Sequence, residues 1–492
     1  MVNMKKSIIH CQILFLISFL GIIFFTQRAN AETFVSGIIE EDTTWTLANS
    51  PYIVTGNILV KEGVTLTIEK GVTVKFSRHP LSGETFEMKI KGILIAEGTE
   101  SERIIFTSDD GWYGGSGIIL EGSNGSIIKY TIIDYGRGSS GISCFNCYAE
   151  IEHNIIRNND TAISISGDSS PQILNNEIVN NYYGFRIHSS GSPYIAENFI
   201  ANNYEAGFYI SSNRWWDEGT SGGTPIITKN TIVNNGSLYN TFGGAFRIDY
   251  NVHPIITYNT IANNGANGII FINFTGSPEI HHNNILKNKK FAIALYNTSK
   301  DIDAKNNWWG TIDSSIINTL IFDKADGYEL GTVIYEPFLT EPASEDTTPP
   351  SNPKMREWDI ACKHDGYSEV IIKWINPTER DFDRIRIYRS TQPDVLGEIV
   401  YEGVDTEYRF SQPADKPYYY TITALDFFDN ESDGEQLKAW NPFCEEYISK
   451  SLREGCKTLH RLMTGYEGWC YLAPLFDRTY YRANDIDSLS LE

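Results

Sequence analysis

The chain has 492 residues, with 40 Lys and Arg against 62 Asp and Glu and a formal charge of −22 at neutral pH. So acidic a chain, with no basic run beyond Lys5-Lys6, lacks the local cationic excess that phosphate contacts need, which excludes nucleic acid as an expected partner. Its 41% hydrophobic and 21% charged residues are the make-up of a folded chain of several domains, not of a disordered one.

Residues 1–31 read as a signal peptide. Lys5-Lys6 is the positive head, Ile13 to Phe25 the apolar core, and Ala29-Asn30-Ala31 a small-x-small cleavage site. The expected location is secreted, extracellular or at the cell surface, with the periplasm as the variant. No membrane insertion is expected after cleavage, because the apolar core is shorter than the ~20 residues of a span. Six cysteines then remain: Cys144, Cys147, Cys362, Cys444, Cys456 and Cys470. An oxidising compartment permits three bridges among them, with the pairing open. Cys144-Phe-Asn-Cys147 has the spacing of a redox or zinc half-site, but no second pair follows it, so a structural role is expected.

From Tyr52 to Phe106, apolar and polar residues alternate (Ile58, Val60, Val64, Leu66, Ile68, Val72, Val74, Phe76) between turn glycines at 56, 63, 71 and 92. This is the signature of short strands with one buried face. Downstream the chain repeats itself. Asn154-Ile-Ile-Arg-Asn-Asn159 returns from Asn176, Asn198, Asn230 and Asn259, with weaker copies from Asn283 and Asn306, at intervals of 22, 22, 32, 29, 24 and 23 residues. A period near 22 with two long exceptions predicts one coil per repeat plus two inserted loops. A single coil cannot bury its own inner face. Coils stacked at the strand spacing of ~4.8 Å close their apolar side chains into one core and pair their backbones above and below. Asn suits the corners because it tolerates left-handed backbone and can bond its counterpart in the next coil.

These Asn-x-Ile-x-x-Asn coils resemble the right-handed parallel β-helix of the pectate-lyase-like superfamily, in particular the NosD-like group of exported proteins. Trp45-Thr-Leu through Val64-Thr-Leu-Thr-Ile68, and Asn306-Asn-Trp-Trp-Gly310 through Val333-Ile-Tyr-Glu-Pro-Phe338, match surface proteins of that group. The resemblance assigns residues 32–342 to an all-β solenoid of on the order of twelve coils. The fold hosts lyases, hydrolases, epimerases and pure binders, so it leaves function open.

Residues 343–353 form a proline-rich, charged linker. Residues 354–438 resemble a fibronectin type III β-sandwich. Val370-Ile-Ile-Lys-Trp374 matches its second strand with the buried Trp, Arg384-Ile-Arg-Ile-Tyr-Arg389 its third, and Tyr418-x-Tyr420-x-Ile422-x-Ala424 its sixth, with Tyr418 at the tyrosine-corner position. Residues 439–492 form a small, partly helical module with three cysteines. It is expected to be stapled, and a protein partner for it is conceivable. His460 beside Cys456 is too isolated for a zinc site.

Enzymes of the resembled superfamily keep their sites on the outward side chains of one mid-solenoid ladder. Aligning the repeats stacks strands 162–166, 184–188, 207–211, 245–249, 268–272 and 292–296. Alternation then points Arg186, His188, Tyr209, Arg247 and Asp249 outward on three consecutive coils, with Arg186 and Arg247 about 10 Å apart, twice the strand spacing. The two long repeats flank this patch. One insertion, 212–224, carries Trp215 and Trp216, and the other, 236–243, carries Tyr239 and Phe242. Exposed indoles in a polar loop suit stacking on sugar rings. The expected partner is therefore a polysaccharide or surface glycan, bound without catalysis by Arg186, His188, Tyr209, Trp215, Trp216, Arg247 and Asp249. No cofactor is expected, and the few Met and scattered His give no metal site. The alternative is a polysaccharide lyase, with Arg186 or Arg247 neutralising a carboxylate and His188 or Tyr209 as base. A hydrolase needs two carboxylates at ~5–9.5 Å, and Asp249 has only Asp217 or Glu218 of the insertion as partner.

Overall fold

The computed structural model describes residues 32–77, 86–108, 117–135, 140–212, 222–237, 239, 241–343, 348–362, 367–413 and 415–440. Outside these lie residues 1–31, read above as a signal peptide, Trp215 and Trp216 with Asp217 and Glu218, and residues 441–492, which hold most of the expected C-terminal module. The chain divides into two compact units, residues 1–343 and 344–492.

The first unit is a parallel β-helix with three ladders of strands. One runs from Thr43–Trp45 through Thr65–Ile68 and Ile93–Glu97 to Glu279–His281, ten strands in chain order. A second runs from Thr73–Phe76 through Ile104–Ser108 and Ile155–Arg157 to Asn284–Leu286. The third holds the longer strands. Those that matter for function are β1 (Thr161–Gly167), β2 (Tyr183–Ser189), β3 (Ala206–Ser211), β4 (Gly244–Asp249), β5 (Asn267–Ile272) and β6 (Ile293–Tyr296), followed by a short helix, α1 (Ser314–Thr319), and β7 (Ile321–Phe322). Each pairs in parallel with the next.

Alternation fills the interior with like on like. Ile151, Ile173, Ile195, Ile227, Ile256 and Ile280 form one inner row, and Ile156, Ile178, Ile200, Ile232, Ile261 and Ile285 another, all buried. Phe185, Phe208 and Phe246 stack face to face at 4.6 and 4.7 Å. Isoleucine and phenylalanine in register bury their whole side chains while the β-branch suits the strand backbone.

Two columns of buried asparagines close the corners. In the first, the Nδ2 amide of Asn154 donates to Oδ1 of Asn176, and the chain continues through Asn198, Asn230, Asn259 and Asn283 to Asn307 at 2.9–3.1 Å. The second runs Asn159, Asn181, Asn203, Asn235, Asn264, Asn288. Each Oδ1 also accepts the backbone N–H of the preceding column member. The column residues are not the left-handed ones. That backbone is taken by the residue just before: His153, Asn175, Glu197, Lys229, Tyr258, His282 and Asn306 at one corner, and Asn158, Asn180, Asn202, Asn234, Asn263 and Lys287 at the other. The Asn-Asn pair thus divides the two properties of asparagine between neighbours, and the last copy is anchored by Asn307 rather than Asn306.

The second unit has two antiparallel sheets. Lys354–Cys362, Tyr367–Ile375 and Glu407–Pro413 form one, and Glu398–Gly403, Phe382–Ser390, Tyr418–Asp426 and Glu435–Ala439 the other. Val370, Ile372 and Trp374 of the first share a core with Ile385, Ile387, Tyr420 and Ile422 of the second. The buried hydroxyl that reaches back is that of Tyr420, which donates to Gln412 Oε1 at 2.8 Å. Tyr418, expected in that role, instead lies beneath the cations of Arg389 and Lys416. Among the described residues no helix is long and apolar enough to cross a membrane.

Candidate functional site

Two rows of outward side chains run along the third ladder. The first is Ser164, Arg186, Tyr209, Arg247, Ile270, Ala294 and Phe322. In the second, Ser166 is followed by His188, which is bonded to Ser211, and then by Asp249, Ile272 and Tyr296. The structure therefore brings Arg186, His188, Tyr209, Arg247 and Asp249 together on β2, β3 and β4. Arg186 and Arg247 are separated by the one strand that carries Tyr209.

The Tyr209 ring is the centre of the patch. Arg186 lies 5.8 Å and Arg247 4.8 Å from its centroid. Tyr183 stacks on it at 6.0 Å and also faces Arg186 at 5.2 Å. His188 meets it edge-on at 5.3 Å. The negative ring face between the two guanidiniums offsets the repulsion of like charges two coils apart.

The two arginines differ in their partners. Arg247 donates through Nε and Nη2 to Asp249 Oδ2 at 3.1 and 2.9 Å. Asp249 was expected to present its carboxylate outward, but it is only 2% exposed. Arg247 folds back along its own strand and covers it, and burial pushes the carboxyl above its ordinary range while Arg247 pulls it down. Arg186 has no carboxylate partner among the described residues, and its buried Nε makes no hydrogen bond. It is thus the charge left over.

Burial moves the remaining titratable groups of the patch away from neutrality. Burial, reinforced by Arg186, pushes the His188 imidazole down to about 4, and its Nδ1 is occupied by the Ser211 hydroxyl at 2.7 Å. Burial pushes the Tyr183 phenol up to about 12 and raises that of Tyr209. A general base works best near the operating pH, and these groups sit on either side of it.

Tyr183 and Ser211 belong to the patch but escape a reading of strand centres alone, since Tyr183 starts its strand and Ser211 ends it. The insertion at 236–243 is tied down by Asn267 Nδ2, which donates to the Thr241 carbonyl at 2.9 Å, and its Phe242 meets Tyr296 at 5.4 Å. It therefore reaches along the face toward β6, while Tyr239 is fully exposed. Trp215 and Trp216 lie outside the described residues. Cys144 and Cys147 are free and buried, and hydrogen bonding to Cys147 together with burial holds the Cys144 thiol well above its usual range, the opposite of a reactive thiolate. Among the described residues no three His, Cys, Asp or Glu side chains cluster as metal ligands.

Comparison with known proteins bears on the fold. Residues 91–238 and 203–309 match the family model described as right handed beta helix region, and residues 37–125 match that of the pectate-lyase like beta helix domain. No curated protein matches the chain. Among solved structures, the tailspike protein of E. coli bacteriophage HK620, in complex with a pentasaccharide, aligns over 82% of this chain and 85% of its own at 10% identity and a TM-score of 0.23. A double mutant of that tailspike gives the same identity, coverage and score, and a single mutant gives 12% identity and a TM-score of 0.18. The repeats, the parallel ladders and the two family models together make the first unit a right-handed parallel β-helix.

Proposed function

We propose that the protein is an exported, non-catalytic glycan-binding protein that uses the outer face of β2 to β4. The observation that carries this reading is the contrast between the two arginines. Arg247 is neutralised in place by Asp249, whereas Arg186 lies against the Tyr183 and Tyr209 rings with no carboxylate partner among the described residues. A guanidinium fork beside phenol rings offers donors to sugar hydroxyls or an acidic substituent and an apolar face to the ring. The second unit, whose two sheets hold three and four strands, is read as a fibronectin type III spacer, and Trp215 and Trp216 as further sugar contacts.

The test is retention of the full chain on immobilised polygalacturonate, alginate, hyaluronan and neutral dextran, with ultraviolet absorbance recorded for unsaturated products. Binding without product is expected, weakened ~10-fold or more by Arg186→Gln through loss of a charged donor. The alternative, a polysaccharide lyase, draws on the same residues, and product formation abolished by His188→Ala would establish it. It is disfavoured because burial holds the His188 imidazole below neutrality and both tyrosine phenols above their usual range, away from the pH at which a general base works best.

A further inference from the structure

We infer that the same face carries a second, aromatic subsite toward its C-terminal end, formed by Phe242, Tyr296 and Phe322, which takes the apolar face of a distal sugar in the same extended glycan chain. This rests on the glycan reading above and extends it from a patch to a track.

The three rings come from separate places. Tyr296 ends β6 in the row of Asp249, Phe322 ends β7 in the row of Arg186, and Phe242 arrives from the 236–243 insertion. Tyr296 and Phe322 stack at 5.4 Å with 25° between their planes, and Phe242 stands edge-on to Tyr296 at 5.4 Å. The interior of these coils is already filled by Ile269, Phe271, Ile293 and Leu295, so the rings lie outside the core. Phe242 remains 41% exposed, and Tyr296 and Phe322 are partly exposed. Aromatic surface left open beside a polar patch is costly unless a ligand covers it. The Lys290 ammonium stands 5.9 Å from the Tyr296 ring and within 3.5 Å of its hydroxyl, with no carboxylate partner among the described residues. Arg186 and Lys290 thus place along one face two cations without a carboxylate partner among the described residues, in a chain of net charge −22.

The spacing selects the occupant. From Arg186 to Phe322 the row climbs five strand spacings, roughly 24 Å. One pyranose in an extended chain advances by about one strand spacing, so a chain lying along the rod reaches both ends only with some five or six units. Between the ends, Ile270 and Ala294 are fully covered and only Ile272 keeps part of its surface open, so a bound chain passes over a closed stretch of the face. A polymer of rings with that repeat can meet successive coils in step.

The experiment compares oligomers of two and eight units from polygalacturonate, alginate and hyaluronan by calorimetric titration of the full chain. Tyr296→Ala and Phe242→Ala are expected to weaken binding of the octamers ~5- to 10-fold, leave the dimers unchanged, and keep the melting temperature near that of wild type. Tyr296→Phe should retain the ring and the affinity. Equal weakening of dimers and octamers, or octamer affinity unchanged in both alanine variants, overturns the subsite. If Arg186→Gln has no effect while the Tyr296 and Phe242 variants do, the central patch falls and the aromatic subsite stands. If wild type binds none of the series, both fall.

Discussion

At the scale of single residues, buried asparagine does the work that an apolar side chain cannot. Asn198 donates to the carbonyls of Ile173 and Ala196 and to Asn230, and accepts from both nitrogens of Asn176. Asn198→Ala would strand several of these groups away from water, each worth ~1–3 kcal/mol. A loss of about 3 kcal/mol or more in urea unfolding is expected, against less than about 1 kcal/mol for Asn202→Gly, where only the left-handed backbone must be kept. Equal costs would refute the division of labour between the two corner positions. That asparagines mark the corners is legible in the repeat. Which of each adjacent pair bends the chain and which bonds is not, because both share one residue type and only the register of the coil separates them. His188 gives a second prediction. Its imidazole titrates lower in the folded than in the unfolded chain, so between about 6.5 and about 4 the unfolded state holds more protons. Stability should therefore fall as pH drops through that window, by about 3 kcal/mol, and His188→Gln should flatten the curve. A wild-type curve already flat there would contradict the burial argument.

At the scale of elements, alignment of the repeats is enough to put the right strands side by side, because one register keeps the two inner isoleucine rows inside. It is not enough to say what outward side chains do to one another. The sequence pattern treats Arg247 and Asp249 as equals on the surface, whereas their alternation on one strand places them two residues apart on the same side, close enough for the arginine to lie over the carboxylate. Tyr183, at a strand start, gains its role only once Arg186 is seen beneath it. The insertion at 236–243 illustrates the opposite limit, since a segment outside the repeat carries no periodicity from which its direction could be read. It rejoins the coil at Gly244, where φ is +137° and an added Cβ would fall 1.9 Å from the Asn267 carbonyl oxygen. Gly244→Ala should consequently cost ~2–4 kcal/mol. It should also displace Phe242, detectable as a loss of octamer affinity at temperatures where the variant is fully folded.

At the scale of the whole molecule, stability should be close to a sum over coils and their interfaces. Deleting residues 176–197 removes one complete coil and joins left-handed Asn175 directly to column residue Asn198. The shortened chain is expected to fold, keeping its β-type circular dichroism with a smaller urea m-value in keeping with the surface lost, while glycan binding disappears with Arg186 and His188. Deleting eleven residues instead should abolish folding, because the core face and solvent face would exchange along half a coil. The monotonic climb also turns the polypeptide into a ruler. Some 22 residues of chain advance the axis by only about 4.8 Å, so chemical groups far apart in sequence read out as neighbours at a fixed pitch, in the order in which they are translated. Duplication or loss of one such unit would move a contact by a single notch without disturbing those on either side, which makes the length of the polymer recognised a quantity that recombination can change in whole steps.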